Sequence, residues 1–179
     1  MAIHNETGFL YGSRGLAGEI GHIPFLGNGP KSRRKCFCGQ YNCLETHLSA
    51  GGIMDFSRNT LRLHPSDISS LFASATPAQM KRIYEYLQPY LYHICITAVN
   101  TFDPETLILG GEIIEPWLER LPVDFLPGLQ KRTWMNSPSK IKCYRMEDCN
   151  SSFGTALRAI SPAITAAVAG ISLSKNKNI

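Results

Sequence analysis

The sequence predicts an α/β fold, and three observations carry that reading. A hairpin pattern opens the chain, with short apolar runs on either side of Asn5-Glu6-Thr7-Gly8. A long amphipathic helix begins after Thr76, and the apolar strand Leu107-Ile108-Leu109 follows it. A second strand-like alternation, Ile141 to Met146, comes after further helical sequence. Antiparallel pairing therefore comes first and crossover connections later.

Each element has a local reason. Met1 to His4 and Phe9 to Tyr11 flank a segment with turn chemistry, which predicts strand, turn, strand. Residues 12–43 are glycine-rich and then basic, with little periodicity, and a loop of that length in a small domain needs something to tie it down. Leu44 to Arg58 is weakly helical, and Ser66 to Ala73 predicts another short helix. Thr76-Pro77-Ala78-Gln79 supplies an N-cap, a proline at the first helical position and a glutamine at the third. Apolar side chains then recur at Met80, Ile83, Tyr84, Leu87, Leu91, Ile94 and Ala98, one face of a helix. Pro89 removes one backbone donor, which predicts a bend in a single helix.

Asp103-Pro104 ends that helix, and Leu107 to Leu109 reads as a fully buried strand running into Gly110-Gly111. Residues 117–135 read as helix interrupted at Pro122 and Pro127. A final helix is expected over Ser152 to Ile160, broken at Pro162 and followed by an apolar stretch over 163–173.

Composition narrows the classes. The 179 residues suit one domain or one lobe, and 44% hydrophobic with 18% charged residues excludes a disordered chain. No run of ~18 apolar residues offers a membrane span. The opening MAIHNETGFLYG lacks the basic start and apolar stretch of a secretory signal, so a cytoplasmic location is expected. A net charge of +4 is mild, and nucleic acid is not an expected partner.

The six cysteines are unevenly placed. Cys36, Cys38 and Cys43 lie within eight residues, whereas Cys95, Cys143 and Cys149 are scattered. Clustering of this kind in an intracellular setting points to a metal site rather than to bridges. Reversals at Gly39 and at Tyr41-Asn42 bring three soft ligands together, and His22 supplies a fourth. A Cys₃His set is closed and tetrahedral, which predicts structural zinc held by His22, Cys36, Cys38 and Cys43. Such an ion contributes on the order of 10 kcal/mol, enough to order the 22–43 loop. The basic run Lys31-Ser32-Arg33-Arg34-Lys35 reads as a solvated loop whose charge lowers the thiol pKa values.

Glu19 lies three residues before His22 and Glu45 two residues after Cys43, so closing the loop around one ion brings both carboxylates to the same place. An ionised carboxylate accepts up to about four hydrogen bonds, which suits adjacent sugar hydroxyls. A metal-bound imidazole still offers its other ring N–H.

The runs Gly15-Leu-Ala-Gly-Glu-Ile-Gly-His22 and Cys36-Phe-Cys-Gly-Gln-Tyr-Asn-Cys-Leu-Glu45-Thr resemble the signature of the ROK family of sugar kinases and sugar-responsive repressors. Asn100 to Gly111 is similar to the family's segment ahead of its nucleotide-contacting glycines, and Gly154-Thr-Ala-Leu resembles its late glycine-headed helix. The His-Ile-Pro and Leu-Glu-Thr details look most like allose kinases.

This resemblance implies the C-terminal lobe of an actin/hexokinase-like (ribonuclease H-like) fold over residues 1–179, with a zinc loop at 18–45. It implies that Glu19, His22 and Glu45 grip a monosaccharide, and that Gly110, Gly111 and Gly154 lie near the adenosine of ATP, with Mg²⁺ in the intact enzyme. Two positions depart from the family pattern. Glu112 stands where a third glycine is usual, and Asn42 stands where glycine usually precedes the last zinc cysteine.

The family's N-terminal lobe, catalytic aspartate and Gly-Thr-Gly loop have no counterpart here, and Gly12 to Gly18 lacks phosphate-loop spacing. The expectation is therefore a fold truncated at its first strand and inactive alone. Its open edge near residues 1–11 would be covered by its own tail or by a partner chain, and a homodimer is expected. The alternative is the effector-binding domain of a ROK repressor. An upstream catalytic aspartate and Gly-Thr-Gly would favour the kinase, an upstream helix-turn-helix the repressor. A third reading is a zinc-stapled interaction domain without a ligand.

Overall fold

The computed structural model describes residues 1–27, 34–117, 121–134 and 140–144. Its first element is a small antiparallel hairpin, β1 (His4–Asn5) and β2 (Gly8–Phe9), with His4 opposite Phe9 and Asn5 opposite Gly8. Asn5 explains the turn, since its Oδ1 accepts from the Thr7 N–H at 3.0 Å and from the Thr7 hydroxyl at 2.7 Å. An apolar groove of about 590 Å³, lined by Met1, Ile3, Phe9, Phe102, Leu107 and Ile108 among others, lies between this hairpin and the next strand.

The weakly helical stretch resolves into α1 (Glu45–Leu48) and α2 (Ala50–Phe56). Ser49 divides them by leaving helical backbone at ψ 159, and its side chain accepts from the Gly52 N–H to cap α2. A Cβ at Gly52 would collide with the Thr46 carbonyl, so glycine permits the sharp turn between the two helices. A wider turn over Ser57–Leu61 ends at Arg62 in the left-handed region, with φ 58.

α3 (Ile68–Ser74) starts from a capping box built by Asp67 and Ser70. α4 (Pro77–Phe102) starts from a second, built by Thr76 and Gln79, and continues through Pro89 as one helix of 26 residues. Of its predicted stripe, Ile83, Tyr84, Leu87, Leu91 and Ala98 are buried, while Met80 and Ile94 pack partly buried against the core. Tyr90, Cys95 and Val99 join the buried face. Asp103, with φ 41, closes the helix as expected.

β3 (Thr106–Gly110) and β4 (Lys140–Tyr144) pair in parallel, from Thr106 opposite Lys140 to Gly110 opposite Tyr144. The expected full burial of Leu107 to Leu109 is corrected here. Leu107 and Leu109 pack against the core, but Ile108 is 60% exposed. Among the described residues this sheet has two strands, and the face bearing Ile108 borders the groove.

The expected interruption at Pro127 is also corrected. Pro127 lies in the first turn of α5 (Leu126–Gln130), where a missing N–H breaks no helical bond. Pro122 falls in a wide turn at Leu121–Phe125 that precedes α5. The expected helix at 152–160, the break at Pro162 and the stretch 163–173 lie outside the described residues, and the 141–146 strand is described as far as Tyr144. Among the described residues no helix is long and apolar enough to cross a membrane.

The main core joins α2, α3, α4 and α5 around Leu71, Ile83, Leu87, Leu121 and Phe125. A smaller cluster of Phe25, Leu44 and Tyr90 joins the glycine-rich loop to α4. Within it His47, 1% exposed, stacks on Tyr90 with ring centroids 3.9 Å apart. Burial pushes the His47 imidazole down to about 4. An unfolded chain takes up this proton below its ordinary value of 6.5, and the folded chain does so only near 4, so the fold loses stability as pH falls through that window. In chelator, urea unfolding is expected to show the wild type losing roughly 2–3 kcal/mol more stability between pH 7.5 and 4.5 than a His47→Leu variant does.

Candidate functional site

The loop carrying the predicted ligands is held by backbone before side chains. Glu19 precedes and His22 ends a short 3₁₀ turn, Ile20–His22, closed by the Ile23 N–H donating to the Ile20 carbonyl. Pro24 bridges to Cys43, and Lys35 bridges to Tyr41, which folds residues 35–41 into a tight knuckle. The Cys36 N–H donates to the Gln40 carbonyl and the Gly39 N–H to the Cys36 carbonyl. Gly39 and Asn42 take the two left-handed positions, with φ 90 and φ 61, at the reversals the sequence predicts.

These turns bring His22, Cys36, Cys38 and Cys43 together, with their ligating atoms all within 4.8 Å of one another. His22 Nδ1 lies 3.2 Å from Cys36 Sγ, and Cys38 Sγ lies 3.6 Å from Cys43 Sγ. A tetrahedral ion with sulfur bonds of ~2.3 Å needs sulfur separations of ~3.8 Å, so the donor set suits a metal ion in both chemistry and spacing. Cys36 and Cys43 are buried, and Cys38 is exposed.

The thiols differ in their ease of ionisation. Burial pushes Cys43 up to about 12 and raises Cys36, while the Gln40 backbone N–H lowers Cys38. The expectation that the basic run lowers the thiol pKa values is corrected at the two buried sulfurs, where dehydration raises them. Of that run, residues 31–33 lie outside the described residues, and Arg34 pairs with Asp55 at 3.3 Å. A bound cation would reverse the balance and take the thiols as thiolates.

Both predicted carboxylates reach the same imidazole. Glu45 Oε2 lies 3.2 Å from His22 Nδ1 and 3.5 Å from Cys36 Sγ, and Glu19 Oε2 lies 3.8 Å from His22 Nε2. Their side chains are about half exposed, at 59% for Glu19 and 44% for Glu45, which leaves oxygen atoms open to an incoming polar molecule. Glu45 owes its place to the first turn of α1, directly after the last cysteine.

The predicted glycines stand apart from this cluster. Gly110 ends β3, and Gly111 follows with φ 103 and open space where a Cβ would project. The Ile114 and Glu115 N–H groups donate to the Gly111 carbonyl, starting the turn that leads to Trp117. Glu112 is exposed within that turn. Gly154 lies outside the described residues.

Sequence reasoning missed a second polar group beside the cluster. Asn42, His47 and Tyr86 form a connected set, with His47 Nε2 3.0 Å from Asn42 Oδ1 and His47 Nδ1 2.8 Å from Tyr86 Oη. Position 42 is legible in the sequence only as a turn residue, and Tyr86 is remote in sequence.

The sequence profile of the ROK family matches residues 1–159. A glucokinase of Halalkalibacterium halodurans is 30% identical over 121 residues, covering 58% of this chain and 35% of that protein. The DNA-binding transcriptional dual regulator NagC of Escherichia coli is 29% identical over 133 residues, covering 64% and 32%. An N-acetylmannosamine kinase of Vibrio cholerae is 30% identical over 112 residues, covering 62% and 38%. The chain thus spans about a third of the length of these curated relatives.

Among solved structures, the ROK hexokinase of Thermus thermophilus superposes with a TM-score of 0.56 at 25% identity, over 75% of this chain and 44% of that one. A ROK family transcriptional regulator, a homolog of the E. coli MLC protein, superposes with a TM-score of 0.60 at 23% identity, over 76% and 36%. The mixed α/β architecture is that of these actin/hexokinase-like proteins, and with 159 of its 179 residues matched by the family profile the chain belongs to the ROK family.

Proposed function

We propose that this chain is the sugar- and metal-binding part of an ATP-dependent hexose kinase of the ROK family. His22, Cys36, Cys38 and Cys43 hold a structural zinc, and Glu19, His22 and Glu45 grip sugar hydroxyls. The observation that carries this reading is the convergence of two half-exposed carboxylates on the imidazole that also belongs to the three-cysteine set. Adjacent ring hydroxyls are donors at close spacing, and carboxylates are acceptors only, so the two are complementary. Four protein ligands leave zinc no open position, and when bound it orders the loop and fixes one ring nitrogen of His22.

In this reading Gly110, Gly111 and Gly154 serve the adenosine of ATP, with Mg²⁺ in the intact enzyme, and the exposed Glu112 carboxylate is unfavourable beside the phosphates unless it points away. A homodimer in the cytoplasm completes the proposal. A second reading, the effector-binding domain of a sugar-responsive ROK repressor, is favoured by the similarity to NagC at nearly the same identity as to the glucokinase. In that reading the same residues hold the sugar, and the output is a change of state in an attached DNA-binding domain.

Two outcomes are expected. Elemental analysis of the purified chain gives about one zinc per polypeptide, Cys43→Ser lowers it, and apparent affinity falls as pH falls because the high-pKa Cys43 thiol must release its proton. Well under one zinc in the wild type would remove the metal assignment. Calorimetric titration with glucose, allose, N-acetylglucosamine and N-acetylmannosamine gives binding to at least one of them. Glu45→Gln weakens it by about tenfold or more, as loss of a charge-assisted hydrogen bond does. The same chain with Mg²⁺-ATP forms no sugar phosphate. Absence of binding heat for all four sugars would remove the sugar assignment.

A further inference from the structure

The metal loop reaches the long helix through one buried polar chain, and its hydrogen bonds can run in only one direction. Asn42 Nδ2 donates to the Phe25 carbonyl at 2.6 Å, so Asn42 Oδ1 is the atom that faces His47. An amide oxygen only accepts, so the proton of His47 sits on Nε2. Nδ1 is then bare and accepts the Tyr86 hydroxyl at 2.8 Å. The ring is neutral and packed flat against Tyr90, which fixes its plane as well as its tautomer.

The far end of this chain sits between two metal ligands. Asn42 immediately precedes Cys43, and Phe25 lies three residues after His22. Asn42 grips Phe25 twice, since its carbonyl also accepts the Phe25 N–H at 2.8 Å. The Leu44 N–H donates to the Ile23 carbonyl at 3.0 Å, and Pro24 bridges to Cys43. Whatever orients the Asn42 amide therefore sets the spacing of the strand segment behind His22 against the one bearing Cys43. The backbone alone does not ask for this side chain, because at φ 61 glycine serves as well.

We propose that His47 is a positioning residue for the metal centre: held by Tyr86 in its Nε2-protonated form, it orients Asn42 and so fixes Cys43 relative to His22. The proposal rests on reading the His22 and cysteine cluster as a metal site. A side chain that merely fills the core would alter global stability and leave metal affinity and ligand geometry unchanged. A positioning residue alters both of the latter.

The test is a double-mutant cycle of Tyr86→Phe and Asn42→Gly in the full chain, read by zinc competition with a chromogenic chelator and by the thiolate and d–d bands of the cobalt-substituted protein. Tyr86→Phe removes one hydroxyl and keeps the ring stacked on Phe56, with centroids 4.0 Å apart. Zinc affinity is expected to fall by about tenfold, the worth of one net hydrogen bond at the upper end. The cobalt bands should shift, and Tyr86→Phe should have no further effect once Asn42 is glycine. His47→Gln, which keeps a donor and an acceptor, should recover most of the affinity that His47→Leu loses. Zinc affinity within twofold of wild type in both Tyr86→Phe and His47→Leu, or strictly additive effects, would overturn the proposal. If the wild type takes up no zinc, the metal reading falls separately. Hydrogen exchange at the Phe25 and Leu44 amides of the metal-free chain then decides the positioning claim, with faster exchange in Tyr86→Phe upholding it and unchanged exchange overturning it.

Discussion

The site depends on a loop that has almost no hydrophobic interior of its own. Among the described residues from 1 to 27 and from 34 to 43, only Phe25, Cys36 and Cys43 are buried. A segment so poor in apolar burial cannot offset its own ordering entropy by packing. Its shape comes instead from left-handed turns at Gly8, Gly12, Gly15, Gly18, Gly39 and Asn42, two isolated bridges and the convergence of one imidazole with three sulfurs. The carboxylate of Glu19 inherits its position from that convergence, whereas Glu45 stands on the first turn of α1 between the buried Leu44 and Thr46.

Electrostatics gives the same cluster a direction. With no cation, burial keeps the Cys43 and Cys36 thiols protonated, and Glu45 stands 3.5 Å from one of them. Ionising the sulfurs beside two carboxylates would gather like charges in a partly dehydrated place, which is unfavourable unless a positive charge lies among them. A divalent ion would meet that need, and His22 as a fourth donor would bring no negative charge of its own. Arg34 does not supply the compensation, since Asp55 engages it across the fold.

Much of this is legible in the sequence, because it is encoded locally. Asn5 to Gly8 forms the turn its chemistry predicts, Thr76 and Gln79 form the capping box, and Cys36, Cys38 and Cys43 meet His22 at the reversals assigned to Gly39 and Asn42. The family signature covers the same residues. What escaped the sequence depends on tertiary neighbours. Leu107 to Leu109 is apolar throughout, yet only the placement of the sheet decides that Ile108 faces outward. Pro127 looks like a helix breaker until the helix is seen to begin beside it. His47 and Tyr86 are 39 residues apart, and no local pattern announces that a lone histidine will bridge a loop and a helix.

In the proposed reading the metal does no chemistry, which constrains what the rest of the site can be. A Cys₃His centre has no vacant position for a substrate oxygen, so the ion acts on a sugar only through the residues it arranges. His22 is the one ligand with a second polar atom to offer, and Glu19 lies 3.8 Å from its Nε2 while Glu45 and Cys36 lie 3.2 Å from its Nδ1. One ring therefore serves two sites, with one nitrogen for the ion and the other for a hydroxyl. Its tilt is then the variable through which metal occupancy reaches sugar affinity. In that reading, loss of the ion loosens the residues that bind and orient the sugar. That logic applies equally to a kinase and to a sugar-responsive regulator, and relatives of both kinds match this chain at 29–30% identity.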